Sequence, residues 1–267
     1  MIKISELYIY PVKSLAGIKL KTSKLSPFGL QHDRRWMIVD DRGHCITQRE
    51  IPKMATIKTS IVNSQLTLSH IDTCIDVPEA SLEQINVTVW KDIFKANKIS
   101  SKVDLWLSKI LNHTCHLVYM PKQAQRQIDP DFAKLKQYVS FADAFPLLVI
   151  SQASLDDLNQ KLETAVNINR FRPNIVVTGT DAFAEDNWLN LSINDIEFLA
   201  VKKCSRCIIP SINQQSGIKD KTKMLAVLNK YRKIDSKIKF GQNLIYKQAN
   251  NINRQIISCG DEIKLNY

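Results

Sequence analysis

An α+β fold dominated by β-barrels is what this sequence of 267 residues predicts. Three observations predict it. The first hundred or so residues alternate with period two, only a few stretches carry helical spacing, and strand-like alternation returns to the end. "MIKISELYIYPVKS" alternates from the start and reads as a strand. "RRWMIVDDRGHCITQRE" reads as a hairpin turning at Asp41, Arg42 and Gly43, and "ATIKTSIVNSQLTLSHI" as another turning at Asn63-Ser64. "INVTVWKDIFKANKI" continues the pattern. In "KVDLWLSKILNH", Val103, Trp106, Leu107, Ile110 and Leu111 share one helix face. From about 121 to 140 the chain is polar, holds two prolines and lacks a period, so it reads as an irregular connection. "SQASLDDLNQKLETAV" is the clearest helix, with Ser154 and Asp157 as a capping-box pair and Leu155, Leu158, Leu162 and Val166 as its buried stripe. "NIVVTG" and "DIEFLAVKKC" are strands, "KTKMLAVLNKYRK" is a second amphipathic helix, and "QNLIYKQ" and "DEIKLNY" are closing strands around a turn at "SCGD".

A chain of this length buries a substantial core, as one large domain or two modest ones. Hydrophobic residues at 44% and charged residues at 24% fit a globular protein, and no apolar run is long enough to span a membrane. The first residues show no signal core or cleavage site, so a cytoplasmic location is expected. The net charge of +11 suits an anionic partner. Its basic residues are dispersed, aromatic content is 7%, and no reading module is recognisable, so nucleic acid is not expected.

Six cysteines include one closely spaced pair, Cys204 and Cys207 in "VKKCSRCIIPS". A redox disulfide of the thioredoxin kind needs a helix to open after the pair, and "IIPS" is poor helix-opening sequence. A structural zinc site needs two further ligands, and "HTCH" with His113, Cys115 and His116 lacks a partner pair. A single thiolate on a soft metal is the third reading, favoured by the neighbouring Arg206. On these residues alone a structural role for the pair stands first. Cys45, Cys74 and Cys259 read as small buried hydrophobes.

Several segments occur together in order: "YPVKSLAG", "GLQHDRRWMIVD", "TQRE", "FADAFPLLVISQASLDDLN", "NINRFRPNIVV", "WLNLSINDIEF", "KKCSRCIIPSIN" and "KFGQNLI". Through them the chain resembles the MOSC family, with an N-terminal MOSC β-barrel region and a MOSC domain. Within it the resemblance is to the mitochondrial amidoxime-reducing component and its bacterial N-hydroxylaminopurine-reducing relatives. It implies division into residues 1–120 and 121–267. It also implies molybdenum cofactor, with Cys207 as the molybdenum ligand and Cys204 as a neighbour in the loop. Lys13, Ser14, Arg34, Arg172 and Asn174 would meet the pterin and its phosphate, with Ser205 and Arg206 beside the metal ligand and the backbone of Asp143 and Ala144 as a further contact. The residue types suit these roles, since guanidinium and ammonium groups hold anions and Asn174 can both donate and accept. Taken singly, the arginines, Lys13 and a turn aspartate would each pass for surface residues. Asp181 corresponds to an acidic position near the metal, where a carboxylate could carry protons.

The activity implied is reduction of N-hydroxylated compounds (hydroxylamines, amidoximes, N-hydroxylated bases) by oxygen removal at molybdenum. The alternative is a cofactor or sulfur carrier using the same cysteine without turnover. Pyridoxal phosphate binding is a further expectation attached to the wider family. Neither an iron–sulfur tail nor a membrane anchor is recognisable, so electrons are expected from a separate ferredoxin-, flavodoxin- or cytochrome b5-type donor. One departure bears on substrate contacts. Relatives often read "VDPDTG" after the cysteine loop, where this chain has "SINQQSG" with Asn213, Gln214 and Gln215.

Overall fold

The computed structural model describes residues 1–133, 137–219, 223–246 and 255–266. The chain opens with β1 (Ile2–Ile9). Its register against a partner strand shifts between Ile4 and Glu6, and this bulge lets Ile4, Leu7 and Ile9 all reach the core. Three short strands follow, β2 (Ile18–Leu20), β3 (Thr22–Ser26) and β4 (Gly29–Leu30), then β5 (Trp36–Val39). The expected turn at Asp41–Gly43 forms, with Gly43 at φ 81°, but the returning arm makes one bridge back to β5, Val39 to Cys45, and another to Thr88 through His44. The chain turns away because the Thr47 N–H and hydroxyl both donate to Glu50, at 2.7 and 2.6 Å. The second hairpin forms as expected from β6 (Lys58–Val62) and β7 (Gln65–His70). Asn63 and Ser64 sit at φ 49° and 65°, as a two-residue type I′ turn requires.

Strand β8 (Thr73–Asp76) adds an edge to that sheet, where Ile75 points inward and Cys74 is exposed, contrary to its expected burial. Then β9 (Gln84–Val89) and β10 (Asp92–Lys98) pair around Trp90 and Lys91. Helix α1 (Ser101–Leu111) starts where the Ser100 hydroxyl accepts from the Val103 N–H, ends at left-handed Asn112, and buries Val103, Leu107 and Leu111. Strand β11 (His116–Tyr119) follows.

The connection after β11 is irregular, as expected; its residues 134–136 lie outside the described ones. Arg126 organises it. The guanidinium donates to the carbonyls of Ser140 at 2.7 Å, Ala142, and Asp143 at 2.9 Å, while Nε reaches Asp92 at 2.8 Å. Strand β12 (Leu147–Ser151) is buried throughout. In α2 (Gln152–Asn159) the cap is Ser151, whose hydroxyl accepts from the Ser154 N–H at 3.1 Å. Ser154 therefore lies inside the helix, its hydroxyl donating to Glu185 at 2.8 Å. The helix also stops short of Leu162 and Val166, because the Asn159 amide pairs with both backbone groups of Val166, at 2.8 and 3.1 Å.

The remaining elements are β13 (Ile175–Thr178), β14 (Asn190–Ile193), β15 (Ile196–Ser205), α3 (Met224–Tyr231), β16 (Lys233–Ile234), β17 (Lys237–Tyr246), β18 (Ile256–Ser258) and β19 (Glu262–Asn266). The expected second helix and the two closing strands also run over residues 221–222, 247–248 and 267, which lie outside the described ones.

Seven strands close into a barrel in the order β12, β13, β1, β19, β14, β15 and β17, with β17 pairing back onto β12. The barrel-dominated α+β fold is thus observed. Alternate residues fill the barrel: Ile4, Leu7, Val149, Val177, Leu191, Phe198 and Leu244. On its outer side α2 and α3 cover Leu148, Ile150, Val176 and Phe240. The sheet β5–β11–β10–β9 and α1 build further cores around Trp36, Ile38, Leu107 and Leu117 and around Met37, Val87 and Phe141. No helix among the described residues is long and apolar enough to cross a membrane.

Candidate active site

The segment leaving β1, the turn before β5 and the segment entering β13 meet around one aromatic ring. Tyr10 is buried, and a guanidinium lies on it from each of two arginines: the carbon of Arg34 is 4.5 Å from the ring centroid and that of Arg172 is 4.1 Å. Contacts of this kind contribute roughly 0.5–2 kcal/mol each. Both arginines take left-handed backbone, φ 48° and 53°. Arg34 makes three hydrogen bonds within the protein. It donates to Asp33 at 2.5 Å, to the Asn174 side-chain oxygen at 3.1 Å and to the Arg172 carbonyl at 3.2 Å. Asp33 is held in turn by the Tyr10 N–H at 2.7 Å.

Arg172 differs. Its Nη1 lies 3.5 Å from the Gln214 side-chain oxygen, and its buried Nη2 has no hydrogen-bond partner. Burial, reinforced by the charge of Arg34, pushes the Arg172 guanidinium down to about 10 against the pull of Tyr10, Asp33 and Asp143. A buried donor left unpaired costs about 1–3 kcal/mol. Two like charges share one ring, and one carries an orphan donor; an anion at that donor would relieve both penalties.

A second group of charges adjoins it. Lys13 is buried, and its ammonium donates to the Phe141 carbonyl at 2.8 Å and to Asp143 at 2.5 Å. Asp143 also accepts from Trp90 Nε1 at 3.3 Å. Crowding by protein would raise the Asp143 carboxyl, but Lys13, Arg49 and the Trp90 N–H reverse this and hold it well below the usual carboxylate range. Its side chain is nevertheless 58% exposed, so water screens the pair. Arg49 lies over Trp90, its guanidinium carbon 4.6 Å from the ring centroid. Burial would lower the Arg49 guanidinium, yet a hydrogen bond to Cys207, with the charges of Cys207, Asp143 and Glu50, raises it.

Cys207 arrives from β15, whose pairing with β17 slips twice, between Ala200 and Lys202 and between Lys203 and Ser205. These irregularities turn the strand end outward. Arg206 pins the loop, donating from Nε and Nη2 to the Phe240 carbonyl at 2.9 and 2.6 Å and from Nη1 to the Phe171 carbonyl at 2.9 Å. The exposed Ser205 hydroxyl accepts from Lys239 at 3.0 Å. The two sulfurs differ. Cys207 is exposed near Arg49, whereas Cys204 is half-buried against the core that includes Phe240, and burial pushes its thiol up.

The residues singled out from sequence therefore divide. Lys13, Asp143, Arg34, Arg172 and Cys207 belong to two adjoining charge groups. The Ser14 carbonyl, in a left-handed residue, accepts from Gln48 at 2.7 Å. Asn174 is 1% exposed and its amide is spent inside the protein, accepting from Arg34 and the Leu148 N–H and donating to the Tyr8 carbonyl, so it aims Arg34. Ala144 is exposed beside Asp143. Asp181 lines a different cleft of about 510 Å³ with Asp186, Lys203 and Arg232. A further cleft of about 520 Å³ runs between residues 161–170 and Asn213–Gln215.

Tyr10, Asp33, Gln48, Arg49 and Trp90 were not singled out, and Gln214 was noted only as a departure in its loop. Gln48 and Gln214 exchange amide hydrogen bonds at 3.0 and 3.2 Å, tying the altered "INQQ" loop to the "TQRE" segment. Trp90 did leave a signal, a large aromatic at a hairpin turn where glycine or asparagine is the norm.

Residues 1–114 match the MOSC N-terminal beta barrel domain and residues 136–264 the MOSC domain. The mitochondrial amidoxime-reducing component 1 of Mus musculus is 32% identical over 245 residues, covering 87% of this chain and 72% of that protein. The mitochondrial amidoxime reducing component 2 of Rattus norvegicus is 32% identical over 251 residues, with coverages of 88% and 74%. The molybdenum cofactor sulfurase of Oryza sativa subsp. japonica is 30% identical over 275 residues, 92% of this chain but 33% of that protein. With both domains matched in order and the amidoxime-reducing relatives covered over most of their length, the chain belongs to the MOSC-domain family, alongside the mitochondrial amidoxime-reducing components.

Proposed function

We propose that this protein is a molybdenum-cofactor-dependent oxidoreductase that reduces N-hydroxylated compounds to the corresponding amines, amidines or bases. The observation that carries the reading is Arg172: a buried guanidinium with an unpaired donor, set against a second guanidinium across Tyr10. The neighbouring charge group presents an exposed thiol on Arg49. This donor set fits an anionic cofactor carrying a thiophilic metal. The relatives named for amidoxime reduction and for molybdenum cofactor supply the chemical identity.

When bound, molybdenum cofactor supplies the two-electron centre at which the N–O bond is broken. The residues of this chain bind and orient. Arg172, Arg34 and Lys13 hold the anionic part, with Ser14 and the backbone of Asp143 and Ala144 beside them. Asn174 acts through Arg34. Cys207 provides the thiolate for the metal, and Arg49 compensates its charge. Ser205 and Arg206 fix the loop that aims it. Asp181, which lines a separate cleft, is assigned to proton supply, since reduction consumes two protons and two electrons and releases water. The electrons come from a separate donor protein, and the net charge of +11 suits an acidic one.

A cofactor or sulfur carrier without turnover is not favoured. The amidoxime-reducing relatives are covered over 72–74% of their length, the sulfurase over 33%. The test pairs molybdenum and pterin analysis of fresh protein with turnover of benzamidoxime or N-hydroxyadenine on a chemical reductant. Native protein should carry the metal and turn over, and Cys207→Ala should lose at least about a hundredfold in rate, on the scale of removing one strongly charged transition-state contact. Equal turnover by the variant would remove Cys207 from the mechanism.

A further inference from the structure

We propose that Trp90 is the stacking platform that selects planar, π-conjugated N-hydroxylated substrates over aliphatic ones; this rests on the reductase reading above. Trp90 occupies the first position of the two-residue turn between β9 and β10, where Val89 pairs with Asp92. Its φ is 57°, a left-handed conformation that bulky residues avoid and that glycine adopts freely. A tryptophan there costs stability for a benefit outside the hairpin.

The ring is not buried to recover that cost, since Trp90 is 60% exposed. It is still held firmly. Its edge N–H donates to Asp143 at 3.3 Å, and Asp143 is itself fixed by Lys13. The Arg49 guanidinium covers one face at 4.6 Å from the centroid. With the edge and one face engaged, the exposed area belongs largely to the opposite face. A cation behind an aromatic ring draws its π-electrons away from that opposite face. The open face then favours an electron-rich flat partner in an offset stack. Arg49 is also within electrostatic reach of Cys207, so the ring and the sulfur share one guanidinium as a neighbour. The platform thus adjoins the charge group of Lys13, Asp143 and Arg49, with its open face free for a flat ligand. Purine-like bases and aryl amidoximes have such a face, whereas small aliphatic hydroxylamines and amidoximes do not.

The experiment measures binding to cofactor-loaded protein by calorimetry, and turnover on a chemical reductant so that no donor protein intervenes. N-hydroxyadenine and benzamidoxime serve as planar ligands and acetamidoxime as the aliphatic one. Trp90→Gly suits the turn geometry and should unfold at or above the native temperature, which separates loss of the platform from misfolding. In it the planar-to-aliphatic affinity ratio should fall roughly tenfold or more, the range of one lost base–aromatic stack. Trp90→Phe, which keeps a ring, should hold the ratio within about threefold of native. An unchanged ratio in Trp90→Gly, or equal weakening of both classes, overturns the proposal. Native protein that turns over neither class overturns the reductase reading instead, and the binding ratio still decides the role of Trp90.

Discussion

Arg172 is stabilised on one side and destabilised on two others. Its stack on Tyr10 contributes roughly 0.5–2 kcal/mol, while the unpaired buried Nη2 costs about 1–3 kcal/mol and Arg34 repels it. These effects nearly cancel, so Arg172 adds little to the fold, in keeping with its proposed role as a cofactor ligand. Arg172→Ala in cofactor-free protein should therefore unfold within about 1 kcal/mol of native. The same variant produced with cofactor available should retain at least tenfold less molybdenum. A large loss of stability in the cofactor-free variant would make Arg172 a structural residue. The asymmetry between Arg172 and Arg34 was not legible in sequence. Both stand in arginine-containing motifs, and only the fold reveals that Asp33, Asn174 and a carbonyl hold one while a buried donor of the other is left without a partner. The contrast between Cys204 and Cys207 was likewise set by packing, since one sulfur is half-buried against the core that includes Phe240 and the other is exposed near Arg49.

Elements were legible where the local signal was self-contained. The Asn63-Ser64 turn needs only two left-handed residues between alternating strands, and the α1 stripe needs only its own spacing. The signal failed where a distant residue decided the outcome. Ser151 displaces Ser154 as the α2 cap because Glu185, some thirty residues on, takes the Ser154 hydroxyl. A distant contact also joins β11 to its surroundings. His116 on β11 meets Asp104 of α1 at 2.9 Å and Asp41 of the β5 turn at 3.0 Å. Burial would lower its pKa, but hydrogen bonds to the two carboxylates, with their charges, raise it above the ordinary value. A group whose pKa rises on folding stabilises the protein fully below its unfolded value, about 6.5, and loses that contribution as pH climbs through the folded value. Native protein should therefore be more stable than His116→Asn at pH below about 6.5, with the gap closing on the alkaline side, as read by thermal unfolding across pH. A gap that widens with pH would mean that the imidazole is held neutral.

At the scale of the molecule, the strand content was legible but the closure of the barrel was not, because alternation says nothing about which strands pair. β1 pairs with β13 through Lys3–Thr178 to Leu7–Ile175 and with β19 through Ile2–Ile263, so the first strand of the chain is an interior stave of a barrel otherwise built from residues beyond 146. Tyr10 leaves directly from that stave, which is how a residue near the start of the chain comes to lie between Arg34 and Arg172. A fragment of residues 137–267 would retain six of the seven strands and expose the edges of β13 and β19. It would also lack the buried side chains of Ile4, Leu7 and Ile9. Each is worth about 1.5–3 kcal/mol of transfer, so their combined loss is comparable with the roughly 5–15 kcal/mol that holds a domain together. That fragment should therefore show poorly dispersed amide resonances and no cooperative melt, and a peptide of residues 1–20 added in trans should restore both. A fragment that melts cooperatively without the peptide would show the barrel standing without β1, and the clamp around Tyr10 would then have to be assembled by docking two independently folded parts.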